Sequence, residues 1–313
     1  MTYRRARLDS GGPLQAGTKG VAMKLLFFDD YKMGVLKGSN VVDVSSAIEH
    51  NDIIPAEWQM ETVIAEFDAY RPRFEKIVAK ENGVPMSSVK LRPPLPRPHN
   101  VLCAFSNYLD HPGATPRPLD FFYKGTTSIM GDGETVELPD IPEASVFQPE
   151  AELSYIIGKP AKHVAEKDAL SHVFGYANFI DVSARGIPNR RTTFLHKGQD
   201  RWAPFGPVIT TADEIADPQD LRVRLWRNEE LQQDYNTSYM AHPIAEQIAW
   251  LSQWITLMPG DVLSCGTHHE GLAPINDGDK IEIEIDGLER LRFDIKSFGP
   301  RKEEHWRPPG VTR

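Results

Sequence analysis

Apolar residues along this chain fall into two regimes. Across residues 23–44, short apolar runs (MKLLFFDD, GVLKG, NVVDVSS) alternate with turn residues, a pattern that predicts a small antiparallel meander. Beyond Pro55 the spacing changes. Trp58, Val63, Ile64, Phe67, Tyr70, Phe74, Ile77 and Val78 recur at near-helical intervals, predicting an amphipathic helix or helix pair interrupted at Pro72. The aromatic stripe on that face reads as core packing rather than a ligand surface. The proline-rich run LRPPLPRPHN over 91–100 is a connector without regular structure. After it, NVLCAF, AELSYIIG, PVIT, LRVRLW, KIEIEIDG and LRFDI are β-like runs spaced by Gly, Pro, Asn and Asp. One clear helix is expected over 243–256, stopping before Met258, Pro259 and Gly260. The pattern therefore predicts an α+β protein, mostly β. It divides into a flexible leader over 1–22, a small α/β N-terminal domain over 23–98, a large β-rich domain over 99–300 and a surface extension over 301–313.

Composition narrows the partners. The 44 acidic residues outnumber the 35 Lys and Arg, for a formal net charge of −9, which argues against nucleic acid. No stretch approaches the roughly 18 uninterrupted apolar residues of a membrane span. The basic N-terminus lacks the apolar run of a secretory signal. Cys103 and Cys265, far apart and in apolar contexts, make neither a zinc pattern nor a disulfide framework, so a reducing cytoplasm is the default compartment.

The strongest chemical signal is Glu150-Ala151-Glu152 leading into an apolar strand. Alternate side chains of a strand share a face, so the two carboxylates point the same way and need solvent, a proton or a cation between them. Oxygen ligands of this kind suit Mg²⁺, Mn²⁺ or Ca²⁺ rather than zinc, although exposed acidic pairs are common without any ion. Asp181 lies in the apolar run FGYANFIDVSARG, where burial would demand a partner. It could equally cap a helix at Val182 and Ser183 or pair with Arg185. Lys197, in FLHKGQD beside Asp200, could orient a substrate carboxylate, neutralise an enolate, or simply lie on the surface. Lys124 follows two phenylalanines and could reach a substrate carboxylate. His163, His172 and His242 read as surface or internally satisfied, and Asn228 and Gln233 as amides bridging strands.

Seven short motifs then occur in order: N-Y-x-x-H (Asn107, Tyr108, His111), FF-x-K ending at Lys124, E-x-E, D-x-S-A-R (Asp181 to Arg185), KGxD…P-x-G-P from Lys197, N-x-x-x-x-Q…N-T-x-x-M from Asn228, and L-x-P-G-D-V…G-T ending at Thr267. Together they resemble the fumarylacetoacetate hydrolase family over residues 23 to about 296. The resemblance implies a rolled, barrel-like β-sheet with the small N-terminal domain at its side, and a homodimer. It makes Glu150, Glu152 and Asp181 ligands of a divalent ion, usually Mg²⁺, with Mn²⁺ equally compatible. Lys197 matches the active-site lysine, Arg185 and Thr267 residues that meet substrate, and His111 a general base on a lid. Lys124, His268 and His269 complete the expected substrate-binding set.

The departures are as informative. Ala114 stands where the family carries a glutamate that pairs with the lid histidine to activate water. Gly186, Ile187 and Pro188 replace D-x-Q after S-A-R, and His268, His269 and Glu270 replace the P-x that follows G-T. The expected function is metal-dependent C–C hydrolysis of a small diketo acid or acylpyruvate from aromatic-compound catabolism. An isomerase, decarboxylase or hydratase on a 2-keto acid is the alternative, because only hydrolysis needs a base holding water. His268, His269 or Glu270 could supply that base. A metal-binding homologue without turnover is a third, minor expectation. The expected partner is a small dicarbonyl or 2-keto acid, with no nucleic acid and no membrane.

Overall fold

The structure, a computed structural model, describes residues 23–48, 54–109, 111, 113–188 and 193–302. The expected leader, Asp110 and the extension beyond Lys302 lie outside the described residues. The N-terminal part contains strands β1 (Lys24–Phe28), β2 (Lys32–Lys37) and β3 (Asn40–Asp43), helices α1 (Gln59–Ala65) and α2 (Phe67–Val78), and short strands β4 (Val84–Pro85) and β5 (Leu91–Arg92). Then come β6 (Val101–Ala104), β7 (Phe121–Lys124), β8 (Ile129–Met130), β9 (Thr135–Leu138), β10 (Val146–Ile157), α3 (Glu166–Ala169), β11 (Val173–Arg185), α4 (Phe194–Lys197) and β12 (Ala203–Thr211). The last elements are β13 (Arg222–Arg227), β14 (Glu230–Asn236), α5 (Ile244–Trp254), β15 (Val262–Ser264), β16 (Lys280–Ile285) and β17 (Leu291–Ser297).

The meander β1–β3 forms as its alternation predicts, but it does not stand apart. β1 pairs antiparallel with β12, Lys24 opposite Thr210 and Leu25 opposite Ile209, so the N-terminal strands continue the main sheet. That twelve-stranded sheet runs β4-β3-β2-β1-β12-β11-β10-β15-β6-β7, with β5 added on β1 and β8 on β12. Its ends β4 and β7 are not partners, so the expected barrel is not closed among the described residues. Both end strands are short, of two and four residues, which limits the exposed pairing edge. A second sheet, β14-β13-β16-β17-β9, covers one face of the first.

The helical region differs from expectation in one place. The break falls at Glu66 (φ −115°, ψ 26°), while Pro72 lies inside α2. Pro72, the sixth of the twelve residues of α2, forgoes one backbone bond, whereas the turn at Glu66 brings Phe67 edge-on to Phe174 at 4.9 Å. Tyr70 and Phe74 are buried as the stripe predicts; Trp58, at its start, is 46% exposed. The helix expected over 243–256 is α5, entered after Pro243.

The long antiparallel pair β10–β11 forms the centre. Its register runs from Val146 opposite Arg185 to Ile157 opposite Val173. Ala151, Leu153, Tyr155, Ile180 and Val182 face the second sheet and α5 within one apolar cluster. By the period-two rule the alternate residues Gln148, Glu150, Glu152, Asp181, Ser183 and Arg185 face the other side. There they meet the apolar layer that Val101, Cys103, Phe122, Phe179 and Phe205 share with α1 and α2.

Candidate metal and substrate site

The register of β10 and β11 sets Glu150 directly opposite Asp181, and Glu152 follows Glu150 on the same face. Glu150, Glu152 and Asp181 are buried, and one carboxylate oxygen from each lies within 4.8 Å of the other two. Asp181 is therefore a mid-strand residue; the helix cap considered for it does not form. Three buried carboxylates at this spacing cannot all ionise without compensating cations.

Three basic side chains supply them. The Lys197 ammonium donates to Glu150 Oε2 at 2.6 Å, to Asp181 Oδ2 and to Ser183 Oγ, and lies 5.0 Å from the Phe122 ring centre. The four-residue helix α4 carries it inward, so of the alternatives left open for this residue the surface one fails. Asp200, its neighbour in sequence, is exposed and accepts from Thr127 instead. Arg185 pairs with Glu150 Oε1 and donates to Gln148 Oε1 at 3.4 Å. Lys124 is delivered by the alternation of β7, with Phe122 and Lys124 inward and Tyr123 outward. Its buried ammonium donates to Asp181 Oδ1 at 2.7 Å and to the carbonyl of Lys197.

The strand end after β15 closes the third side. Ser264 Oγ and the Gly266 N–H, the latter at 2.9 Å, both donate to Glu152 Oε2. Thr267 comes next and is buried; Gln233 Nε2 donates to its hydroxyl at 3.0 Å and to the His268 carbonyl at 2.7 Å, while Gln233 Oε1 accepts from the Ala151 N–H. Gln233 thus bridges strands as expected, and Asn228 does the same with Asp279 and Lys280. His268 is buried among Tyr235, Tyr108 and Tyr239, with ring centres 5.8, 6.4 and 6.0 Å away, and its Nδ1 accepts from the Glu270 N–H at 3.2 Å. His269 is half-buried and Glu270 exposed. His111 and Ala114 lie on the 105–120 loop between β6 and β7; His111 is exposed, unlike the buried cluster.

The departure at residue 186 has a steric reason. Gly186 adopts φ +75°, and a Cβ there would sit 2.1 Å from Ser145 Oγ. An aspartate at this position does not fit this backbone.

Burial sets the electrostatics. It pushes the Glu152 carboxyl up to about 8, with the Asp181 charge adding to the effect. Burial also lowers Lys197, against the pull of Asp181, and brings Arg185 down to about 10. A carboxyl held this high binds a proton or a cation readily, and the donor set is all hard oxygen. The three carboxylates thus fit a divalent ion of the Mg²⁺, Mn²⁺ or Ca²⁺ type.

Several contributors carry no signal of their own in the sequence. Ser183, whose hydroxyl donates to Glu150 at 3.0 Å, lies inside a quoted motif, but nothing distinguishes it from any strand serine. Ser264 and the Gly266 N–H act through pairing partners more than a hundred residues away. Period-two alternation could have found Ser183, two residues from Asp181.

Fold and site define a cluster of buried carboxylates, able to hold a divalent ion, on the face of an open sheet. Residues 100–296 match the family model "Fumarylacetoacetate (FAA) hydrolase C-terminal", and the chain belongs to that family. It is 30% identical over 295 residues to a maleylpyruvate hydrolase of Aquipseudomonas alcaligenes, covering 88% of this chain and 100% of that one. It is 35% identical over 218 residues to the human mitochondrial oxaloacetate tautomerase FAHD2A, covering 66% and 69%. Among solved structures, maleylpyruvate hydrolase from Sphingobium sp. SYK-6 in complex with manganese (II) ion and pyruvate superposes with a TM-score of 0.80 at 33% identity, over 89% of this chain and 100% of that one. Among the described residues no helix is long and apolar enough to cross a membrane.

Proposed function

We propose that this chain is a Mg²⁺- or Mn²⁺-dependent hydrolase that cleaves a C–C bond in a small diketo acid of the acylpyruvate class, in the breakdown of aromatic compounds. The observation that carries the reading is the triad of buried carboxylates with Lys197 and Arg185 bonded directly to it. Support comes from the maleylpyruvate hydrolases it resembles over almost all of its length.

A divalent ion held by Glu150, Glu152 and Asp181 would supply Lewis-acid polarisation of a 2-keto acid. Arg185 and Thr267 orient the substrate's carboxylate and keto oxygens, and His268 and His269, which follow Thr267, complete the substrate-binding set. Lys197 turns one of the three N–H groups that it gives to Glu150, Asp181 and Ser183 toward the negative charge that develops on the departing fragment. His111, reaching in from its loop, takes a proton from water as the water oxygen bonds to the distal acyl carbon. The C–C bond breaks, its electron pair passes to the pyruvyl fragment as an enolate, and a proton returned to that carbon gives two acids. Lys124, bonded to Asp181, either meets a substrate carboxylate or holds the ligand in place. A cytoplasmic homodimer is the proposed working form, which size-exclusion chromatography with light scattering would test.

Ala114, in place of the water-activating glutamate, favours a second reading as tautomerase or isomerase, in line with the oxaloacetate tautomerases. Incubation with Mn²⁺ or Mg²⁺ and a panel of acylpyruvates, maleylpyruvate, fumarylpyruvate and oxaloacetate separates the two. Cleavage to two acid fragments, lost in Glu150→Ala, is the expected result. Spectral change without fragmentation moves the assignment to the second reading, and no turnover of any member refutes both.

A further inference from the structure

We propose that Asn107 is a positioning residue for the metal centre: its amide fixes the peptide group that holds Glu152. The proposal rests on the reading of Glu152 as a metal ligand.

Asn107 is 1% exposed and does not touch the carboxylates. Its Nδ2 donates to the Cys265 carbonyl at 2.9 Å and to the His242 carbonyl at 3.2 Å, while its Oδ1 accepts from the His242 N–H at 2.9 Å. A flipped amide would set oxygen against two carbonyls, so the partners fix its orientation. The Cys265 carbonyl and the Gly266 N–H belong to one planar peptide unit. That N–H donates to Glu152 Oε2 at 2.9 Å. The path from Asn107 to the carboxylate is therefore amide, peptide plane, carboxylate. A bond donated to the peptide oxygen strengthens the N–H as a donor, since linked hydrogen bonds polarise one another. It also stops the plane from rotating.

The local backbone is built around this approach. Gly266 adopts φ +83°, and a Cβ there would meet Asn107 Cβ at 3.2 Å and the Ala104 carbonyl at 3.4 Å. Only glycine lets the peptide sit this close to Asn107 without strain. Asn107 also accepts from the Ala241 N–H through its own carbonyl at 2.7 Å. It stands at the root of the 105–120 loop that carries His111. One side chain thus ties the root of that loop to the carboxylate of Glu152.

The experiment is Mn²⁺ titration calorimetry at pH 8 on the full chain and on Asn107→Asp, Asn107→Ser, Glu152→Ala and Ile283→Ala. Asn107→Asp keeps the size and the acceptor for His242 but faces the Cys265 carbonyl with an oxygen; Asn107→Ser is too short to reach it. Ile283 is fully buried on β16 in the second sheet and reports general loosening. Both Asn107 variants are expected to weaken Mn²⁺ binding by about 10-fold, the lower end for residues that orient a ligand. Ile283→Ala is expected to lower the thermal midpoint with Mn²⁺ affinity unchanged. Wild-type affinity in both Asn107 variants, with binding lost in Glu152→Ala, overturns the proposal and leaves the site reading intact. Wild-type binding in Glu152→Ala removes the site reading and the proposal with it. Equal loss of affinity in Ile283→Ala also overturns the proposal, because loosening alone would then suffice.

Discussion

Gly186 immediately follows Arg185, the partner of Glu150, and its replacement by alanine tests whether the chain's departure from its family there is imposed by the backbone. Two costs are separable. The left-handed conformation at φ +75° costs an L-residue about 1–2 kcal/mol. The new Cβ would lie 2.1 Å from Ser145 Oγ and 2.6 Å from Ser145 Cβ, so the loop before β10 must move. Overpacking of that kind costs about 1–3 kcal/mol. Gly186→Ala should therefore destabilise by about 2–5 kcal/mol, a fall in thermal midpoint of about 3–8 °C for a chain of this size. Ser145→Gly removes both atoms in the way but leaves the backbone cost. In a double-mutant cycle followed by urea unfolding, Gly186→Ala in the Ser145→Gly background should cost only about 1–2 kcal/mol. A Gly186→Ala variant as stable as wild type would refute the steric argument. A cost unchanged by Ser145→Gly would assign the whole effect to the backbone. Displacement would also pull on Arg185, whose carbonyl accepts from the Ser145 N–H at 2.8 Å, so kcat should fall along with stability.

Mn²⁺ affinity should rise with pH, because a carboxyl held at about 8 must lose its proton to bind a cation. Between pH 6 and pH 8 one such group gives about 50-fold, read by calorimetry; a flat profile would sink the assignment. The same shift has a definite sign for folding of the metal-free chain. A carboxyl raised from 4.5 to about 8 contributes stability that is full below 4.5 and lost as pH rises through about 8. Added Mn²⁺ should thus raise the thermal midpoint more at pH 8.5 than at pH 6. Lys197→Met should lower kcat by about 10²–10³-fold, the scale for losing one donor to a developing oxyanion, and a kcat within threefold of wild type would dismiss that role. Ile283→Ala, in a fully buried position, should cost about 2–5 kcal/mol in urea unfolding, and a smaller loss would mean that the second sheet collapses around the gap.

Much of the site was legible because it rests on local rules. Period two puts Glu150 and Glu152 on one face, and an aspartate in an apolar strand announces a buried partner. The same rule sends Lys124 inward beside Phe122, although its bond to Asp181 depends on a strand four positions away in the sheet and its bond to the Lys197 carbonyl on a helix still further along the chain. What stayed hidden is long-range. Nothing near Lys24 says that it will lie opposite Thr210, so a meander that looks self-contained turns out to extend the main sheet. Pro72 marks a helix break by propensity, yet packing of Tyr70 and Phe74 outweighs one lost bond and the break moves to Glu66. Alternation places Ser183 on the face of Asp181 without showing that it bonds Glu150, and the hydroxyl of Ser264 is invisible, because only the register shows what it holds.

The joint between β1 and β12 also bears on how this family can be cut and recombined. The family match begins at residue 100. Yet a chain started there would lose the strand that flanks β12 and expose a buried nine-residue strand, one place from β11 with its Asp181. Such an edge invites pairing with other chains, so this fragment should aggregate rather than fold as a smaller enzyme. For recombination between relatives, the first hundred residues and β12 therefore travel together, and a crossover placed at the proline-rich connector would join surfaces that never evolved against each other.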